Sequence, residues 1–303
     1  MRKTFRTLII CMMAVMLASS AVSCGKNEKE EQDMSIPIEK VSTGSFEMRY
    51  FRFGSGEKVM VILPGLSVQS VMASADSVAE AYGAFAEDFT VYLFDRREDL
   101  PDKYGIEDMA DDTIEAMKTL GLADVYLFGA SQGGMIALTI AIKEPSLVNR
   151  LVIGSSCASE ADIKTDVIKE WVGLARSGKK EELYLAFGKA LYPEETYNAY
   201  TEVFRQMAQG VTDEDLRRFV ILAEGIGGFD VTGALKDIAC PVLAIGASDD
   251  MVLGAEGTLR IAEYLKDRED FSLYMYDGYG HACFDTAPDY KDRLMEFFMK
   301  KFD

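Results

Sequence analysis

The chain has 303 residues, 49% hydrophobic and 27% charged, with 50 acidic residues against 32 basic ones and a formal charge of −18. That imbalance excludes partners that need a basic surface, nucleic acid and anionic lipid headgroups among them. Five cysteines, none in a C-x-x-C or Cys/His ligand spacing, argue against a structural metal site; Cys157, Cys240 and Cys283 permit one disulfide in an oxidising compartment, and the sequence does not choose it.

Arg2, Lys3 and Arg6 precede an apolar run of 11 residues, Leu8 to Ala18, followed by the small residues Ser19, Ser20 and Ala21. The run is shorter than the roughly 20 residues that span a bilayer, so residues 1–23 read as a cleaved signal peptide. Ala21-Val22-Ser23-Cys24 with Gly25 behind it resembles the lipobox of bacterial lipoproteins. That resemblance implies a lipid on Cys24 and a place in the bacterial cell envelope, anchored to a membrane and facing the periplasm or exterior. Removing residues 1–23 moves the charge to −21, because the segment holds three basic residues and no acid. An acidic body is repelled by anionic headgroups, so membrane contact would come from the acyl chains. Replacing Cys24 with alanine is expected to move the protein from the detergent phase to the aqueous phase; a wild type already in the aqueous phase would refute the anchor. Residues 24–44 read as the lipidated cysteine and a polar tether, and 45–303 as one domain of about 260 residues, enough for a sizeable core.

Within that domain Val59–Leu63 is a continuous apolar run closed by Pro64-Gly65, the pattern of a strand buried on both faces. Val91–Phe94 repeats it and ends at Asp95. Residues 109, 110, 114, 117 and 120 are apolar at helical spacing, with Gly121 as the stop. Val125–Phe128 is a third strand, Met135–Ile142 an apolar helix and Leu151–Ile153 a fourth strand. From about 156 to 235 the segments are amphipathic and helical, with no strand between them. Strands resume at Pro241–Ile245 and Phe271–Tyr276, separated by a helix at 258–265, and Pro288 opens a final helix. Alternating strands and helices predict an α/β fold with a mostly parallel sheet, and 156–235 a helical insertion within it.

Gly129-Ala-Ser131-Gln-Gly133 lies where the third strand meets the apolar helix. A serine on such a turn takes a strained backbone angle that lifts its hydroxyl above the sheet. His281, the single histidine of the chain, follows 150 positions later in Gly-Tyr-Gly-His. Neutral imidazole exchanges protons near pH 7, which suits activating a serine hydroxyl. An acid to orient the imidazole is available in the loop after Pro241–Ile245, where Asp249 and Asp250 stand side by side. Asp277 and Asp285 flank His281 too closely along the chain to reach its far ring nitrogen.

Leu63-Pro-Gly-Leu66, Asp95-Arg-Arg97, Gly129-Ala-Ser-Gln-Gly133, Gly246-Ala-Ser-Asp249 and Gly280-His281 together resemble the α/β-hydrolase fold family, from about Ser45 to Phe302. The resemblance implies an eight-stranded, mostly parallel sheet flanked by helices, with a helical cap inserted after the sixth strand in the slot of 156–235. It implies the order Ser131, acid, His281, with the acid three residues past the strand-ending glycine, which selects Asp249 and leaves Asp250 one step behind. It also implies an oxyanion hole from the backbone N–H groups of Leu66 and Gln132, and a loop-tying role for Arg97. Where many relatives carry His-Gly, this chain has Pro64-Gly65, which removes the histidine's hydrogen bonds. No metal or organic cofactor is implied.

The resulting expectation is a serine hydrolase cleaving carboxylic esters of small to medium size through an acyl-enzyme. The partner is a small-molecule acyl substrate. A serine nucleophile argues against dehalogenase and epoxide-hydrolase chemistry, which uses aspartate at that place in this fold. An aminopeptidase or amidase would use the same residues, and so would cofactor-free perhydrolysis. A non-catalytic binding protein that retains the fold is the reading from outside enzymology.

Overall fold

A computed structural model describes residues 35–302; the expected signal peptide, Cys24 and the first part of the tether lie outside the described residues. Eight strands form one sheet: β1 Ile38–Ser42, β2 Glu47–Phe53, β3 Lys58–Leu63, β4 Phe89–Arg97, β5 Val125–Ala130, β6 Val148–Gly154, β7 Val242–Ala247 and β8 Phe271–Tyr276. Their spatial order is β1-β2-β4-β3-β5-β6-β7-β8. β2 pairs antiparallel with both β1 and β4, and every other pairing is parallel.

The central strands are the apolar runs of the sequence, and all six residues of β5 and of β7 are buried. Runs of that kind are stable only where helices cover both faces of the sheet. The covering helices are α1 Ala75–Ala81, α2 Ile106–Thr119, α3 Gln132–Lys143, α8 Ala255–Leu265, α9 Cys283–Thr286 and α10 Tyr290–Met299. α3 is buried along Gln132–Ala141 on every side, which explains why it lacks a polar face. The last helix begins two residues beyond Pro288, which stays in the preceding turn.

The folded chain starts earlier than residue 45. β1 pairs with β2 from Ile38↔Phe51 to Ser42↔Glu47, so part of the expected tether is an edge strand. Only Val41 of β1 is buried, and a short polar strand of this kind leaves no apolar pattern to read. β2 was equally silent, because its apolar residues alternate imperfectly with Glu47, Arg49 and Arg52.

Between β6 and β7 the chain forms the expected insertion of four helices: α4 Thr165–Arg176, α5 Lys180–Leu191, α6 Glu194–Gln209 and α7 Asp213–Glu224. Their apolar faces meet over Trp171 and Phe187, whose rings lie 4.5 Å apart. The cap is fastened to the sheet side by Gln69, whose Nε2 donates to Gly210 O at 3.2 Å while its Oε1 accepts from the Tyr184 hydroxyl at 2.9 Å. The Ala282 amide donates to Leu191 O at 3.0 Å, joining the end of α5 to the loop after β8. Among the described residues no helix is long and apolar enough to cross a membrane.

Candidate active site

Three loops at the carboxyl ends of β5, β7 and β8 converge beneath the cap, the usual ligand position in an open α/β sheet. Ser131 occupies the turn between β5 and α3 with φ 53° and ψ −122°, a conformation a non-glycine residue rarely adopts. The surroundings hold it there. Its N–H donates to Gly154 O at 2.8 Å, and its carbonyl accepts from the Gly134 amide at 2.8 Å and the Ser156 hydroxyl at 2.7 Å. The turn is tight enough that a Cβ on Gly129 would stand 2.2 Å from Gly133 O.

His281 brings its Nε2 to 2.9 Å from Ser131 Oγ, across 150 positions of sequence. Its Nδ1 lies 2.7 Å from Asp250 Oδ2. The carboxylate beside the imidazole is therefore Asp250, and Asp249 is displaced from the expected role. The cause is the length of β7. The strand does not end at Gly246 but runs on through Ala247, which pairs with Tyr276, so counting three residues from its end reaches Asp250. Asp249 is exposed on the outside of the turn, its amide donating to Tyr279 O and its carboxylate accepting from Ser248 Oγ.

Asp250 and His281 are 4% and 1% exposed. Burial pushes the Asp250 carboxyl up, yet its net position is below the usual value. The facing imidazole and the amides of Val252 and Leu253, both donating to Oδ1 at 2.8 Å, outweigh desolvation together. Asp250 thus presents a carboxylate with one oxygen committed to backbone and the other to the imidazole. The other two nearby acids do not compete: Asp277 accepts from Ser248 Oγ at 3.4 Å, and Asp285 lies 3.5 Å from the Tyr192 hydroxyl. Burial raises the Asp285 carboxyl to about 6.

Leu66 follows the β3 turn, where Gly65 passes so close to Ser131 that a Cβ there would be 3.1 Å from the serine Cβ. Gln132 is the first residue of α3, whose N-terminus carries unpaired N–H groups and a partial positive charge. Among the described residues, neither amide is engaged by a backbone carbonyl.

Arg97, the expected loop tie, lies 3.6 Å from Asp112 Oδ2 on helix α2 and over the Phe46 ring. The residue that sequence reasoning passed over is its neighbour Arg96, 4% exposed and bonded to the Pro64 carbonyl. Nothing in the run Asp-Arg-Arg says which arginine turns inward. The same holds for Arg218 of α7, which pairs with Asp95 at 3.0 Å.

Ser131 and His281 open into a cavity of about 30 Å³, room for roughly two water molecules. Its wall is aliphatic and aromatic, with Ile163, Ile168, Trp171, Phe187 and Leu191 contributed from the insertion. No charged side chain lines it. Of the cap aromatics, Trp171 and Phe187 reach this wall, and Phe187 also lines, with Tyr184, Tyr192 and Phe204, an adjoining outer cavity of about 580 Å³. Among the described residues, no group of three or more His, Cys, Asp or Glu side chains could hold a metal ion. Cys157, Cys240 and Cys283 are buried free thiols, and burial drives the Cys240 thiol up to about 11.

A model of the Alpha/beta hydrolase family matches residues 60–290, from β3 to α10. The chain belongs to that family. Curated relatives include the "Putative carbamate hydrolase RutD" of Agrobacterium fabrum, 28% identical over 236 residues that cover 71% of this chain and 85% of that one. A protein of the same name from Caulobacter vibrioides is 25% identical over 252 residues, 80% of this chain and 91% of its own. Among solved structures, MGS-M2, an alpha/beta hydrolase enzyme from a Medee basin deep-sea metagenome library, superposes with a TM-score of 0.76 at 21% identity, covering 88% of this chain and 99% of its own. The enol-lactonase from Burkholderia xenovorans LB400 gives 0.71 at 18% identity, over 86% and 100%. This alpha/beta hydrolase therefore shares its fold with solved structures of differently named enzymes, and the fold alone does not choose among activities.

Proposed function

We propose that the protein is a serine hydrolase that cleaves short, uncharged carboxylic esters through an acyl-enzyme. Ser131 Oγ attacks the carbonyl carbon while His281 Nε2 takes the hydroxyl proton, and the carbonyl oxygen becomes an oxyanion held by the amides of Leu66 and Gln132. The imidazolium then protonates the leaving alcohol. Water, deprotonated by the same imidazole, attacks the acyl carbon and releases the acid and Ser131. Asp250 holds the ring in the tautomer with Nδ1–H and stabilises the cation.

The observation that carries this reading is the unbroken chain Ser131 Oγ, His281 Nε2, His281 Nδ1, Asp250 Oδ2, with gaps of 2.9 and 2.7 Å. The uncharged cavity wall supports esters over the alternatives. An aminopeptidase has to hold the substrate's ammonium group with a countercharge this wall does not supply. The small cavity supports a short acyl group, because a longer one requires the cap to move. A lipid on Cys24, as the lipobox resemblance suggests, would place this chemistry at the face of a membrane.

A fluorophosphonate probe tests the reading, since it reacts only with an activated serine. Wild type is expected to form a Ser131 adduct and Ser131→Ala none, with ester turnover reduced at least about 10³-fold. Short p-nitrophenyl esters should be cleaved faster than aminoacyl anilides, and acetyl esters faster than decanoyl ones. A folded wild type that never labels would end the enzymatic proposal; a preference for anilides would replace the esterase with an amidase.

A further inference from the structure

The Pro64-Gly65 turn lacks the histidine that many relatives place there, and the structure shows a different device at that position. Arg96 Nη2 donates to Pro64 O at 2.9 Å and to Gln132 Oε1 at 3.3 Å. Pro64 precedes Gly65-Leu66, and Gln132 follows Ser131, so one guanidinium edge grips both segments that carry the oxyanion amides. Gln132 has a third tie: its Nε2 donates to Leu222 O of α7 at 2.7 Å. α7 is in turn fastened to the strand that bears Arg96. Arg218 donates to Asp95 Oδ1 at 3.0 Å, to Arg96 O at 3.2 Å and to Arg97 O at 2.9 Å.

These bonds form a closed circuit. It runs from Arg96 through the Gln132 amide to cap helix α7, and back through Arg218 to the backbone of Arg96. Both bonds leave from Nη2, whose two N–H groups diverge in the fixed plane of the guanidinium, whereas the donors of an ammonium rotate freely. Burial lowers the Arg96 guanidinium to about 10, opposed by Asp95, so it remains charged at neutral pH.

We propose that Arg96 is a positioning residue that assembles the two oxyanion donors, acting through Pro64 and Gln132, and that the Gln132 side chain couples this assembly to the docking of α7. The proposal rests on the serine-hydrolase reading above. Its consequence is that the oxyanion site is complete only with the cap seated, so that closing over a substrate and polarising its carbonyl are one event.

The test compares wild type with Arg96→Met, Arg96→Lys, Gln132→Met and the Arg96→Met/Gln132→Met double variant. Two readouts are used: steady-state hydrolysis of p-nitrophenyl acetate and the rate of fluorophosphonate labelling. Losing both ties should lower kcat of Arg96→Met by about 10- to 100-fold with KM within about twofold, since one lost oxyanion donor costs about 10²–10³. Arg96→Lys should recover part of that loss, because it keeps the charge and several donors on one nitrogen but not their fixed directions or the full reach of Nη2. Gln132→Met should lose about tenfold, and the double variant little more than Arg96→Met alone, because both act through one path. The acid limb of the pH–rate profile should not move, since His281 and Asp250 are untouched.

Single-variant kcat within threefold of wild type, or losses that simply multiply in the double variant, would overturn the proposal. If Arg96→Met does not fold, an unchanged kcat in Gln132→Met overturns it alone. Wild type that labels at Ser131 at the same rate as the variants refutes only the role of Arg96. Wild type that never labels refutes the underlying serine chemistry instead.

Discussion

Asp250→Asn is expected to lower kcat for short esters by about 10⁴-fold, while Asp249→Asn stays within about threefold of wild type. The asymmetry follows from hydrogen bonding. An asparagine at 250 keeps an oxygen to accept from the Val252 and Leu253 amides, so the loop retains its shape. Its NH₂ then faces His281 Nδ1 in place of the carboxylate oxygen now 2.7 Å away. Nδ1 must accept rather than donate, the ring proton moves to Nε2, and Nε2 can no longer take the proton of Ser131. Among the described residues, the hydrogen bonds of Asp249 go to the Ser248 hydroxyl and the Tyr279 carbonyl, and neither bond involves the imidazole. Steady-state rates with melting temperatures for both variants decide the matter. A larger loss at 249 than at 250 would mean the imidazole is oriented by a different group.

Gly133→Ala should be the most damaging methyl group that can be added near the site. A Cβ there would stand 2.0 Å from Leu63 O and 2.6 Å from Pro64 O, both backbone atoms at the end of β3. Relief requires moving α3 away from the sheet or displacing the turn that leads to Leu66. We expect a loss of about 3 kcal/mol or more in urea unfolding and a fall of at least about 10²-fold in kcat. Gly173→Ala is the matched control, on the exposed side of α4 with nothing within 4 Å of the added carbon. There the same methyl should stabilise by about 0.5–1 kcal/mol, because glycine loses more backbone freedom on folding. A Gly133→Ala protein as stable and active as wild type would show that this crossing is looser than its distances state.

The two glycines look alike in sequence, each inside or beside an apolar helical pattern. What separates them is the chain that packs against each one, and that chain is distant in sequence. The same reasoning explains where sequence reading succeeded. β3, β5, β6 and β7 were legible because a strand covered on both faces has to be apolar throughout. The four cap helices were legible because each presents one apolar stripe to its neighbours. β1 escaped notice because an edge strand with a single buried residue, Val41, obeys neither rule.

At the site, Ser131 could be read locally because its role is written into a contiguous turn: a glycine two positions to either side, a buried strand before and a buried helix after. His281 could be read because nothing else in the chain supplies an imidazole. The resemblance picked out Arg97 and passed over Arg96, since successive residues of a strand point to opposite faces and the run does not reveal which face is the interior.

By itself, then, the order of residues determined the class of the sheet, the slot of the helical insertion, the serine and the histidine, because each depends on composition over a short stretch. Only tertiary structure decided that Asp250 and not Asp249 meets the imidazole. Adjacent side chains in a loop diverge, and one further residue of β7 pairing, Ala247 with Tyr276, determines which of them turns inward. It likewise decided the circuit through Arg96, Gln132 and Leu222, whose bonds join residues 36 and 90 positions apart. Such bonds depend on where folding places whole elements, and no local pattern records that.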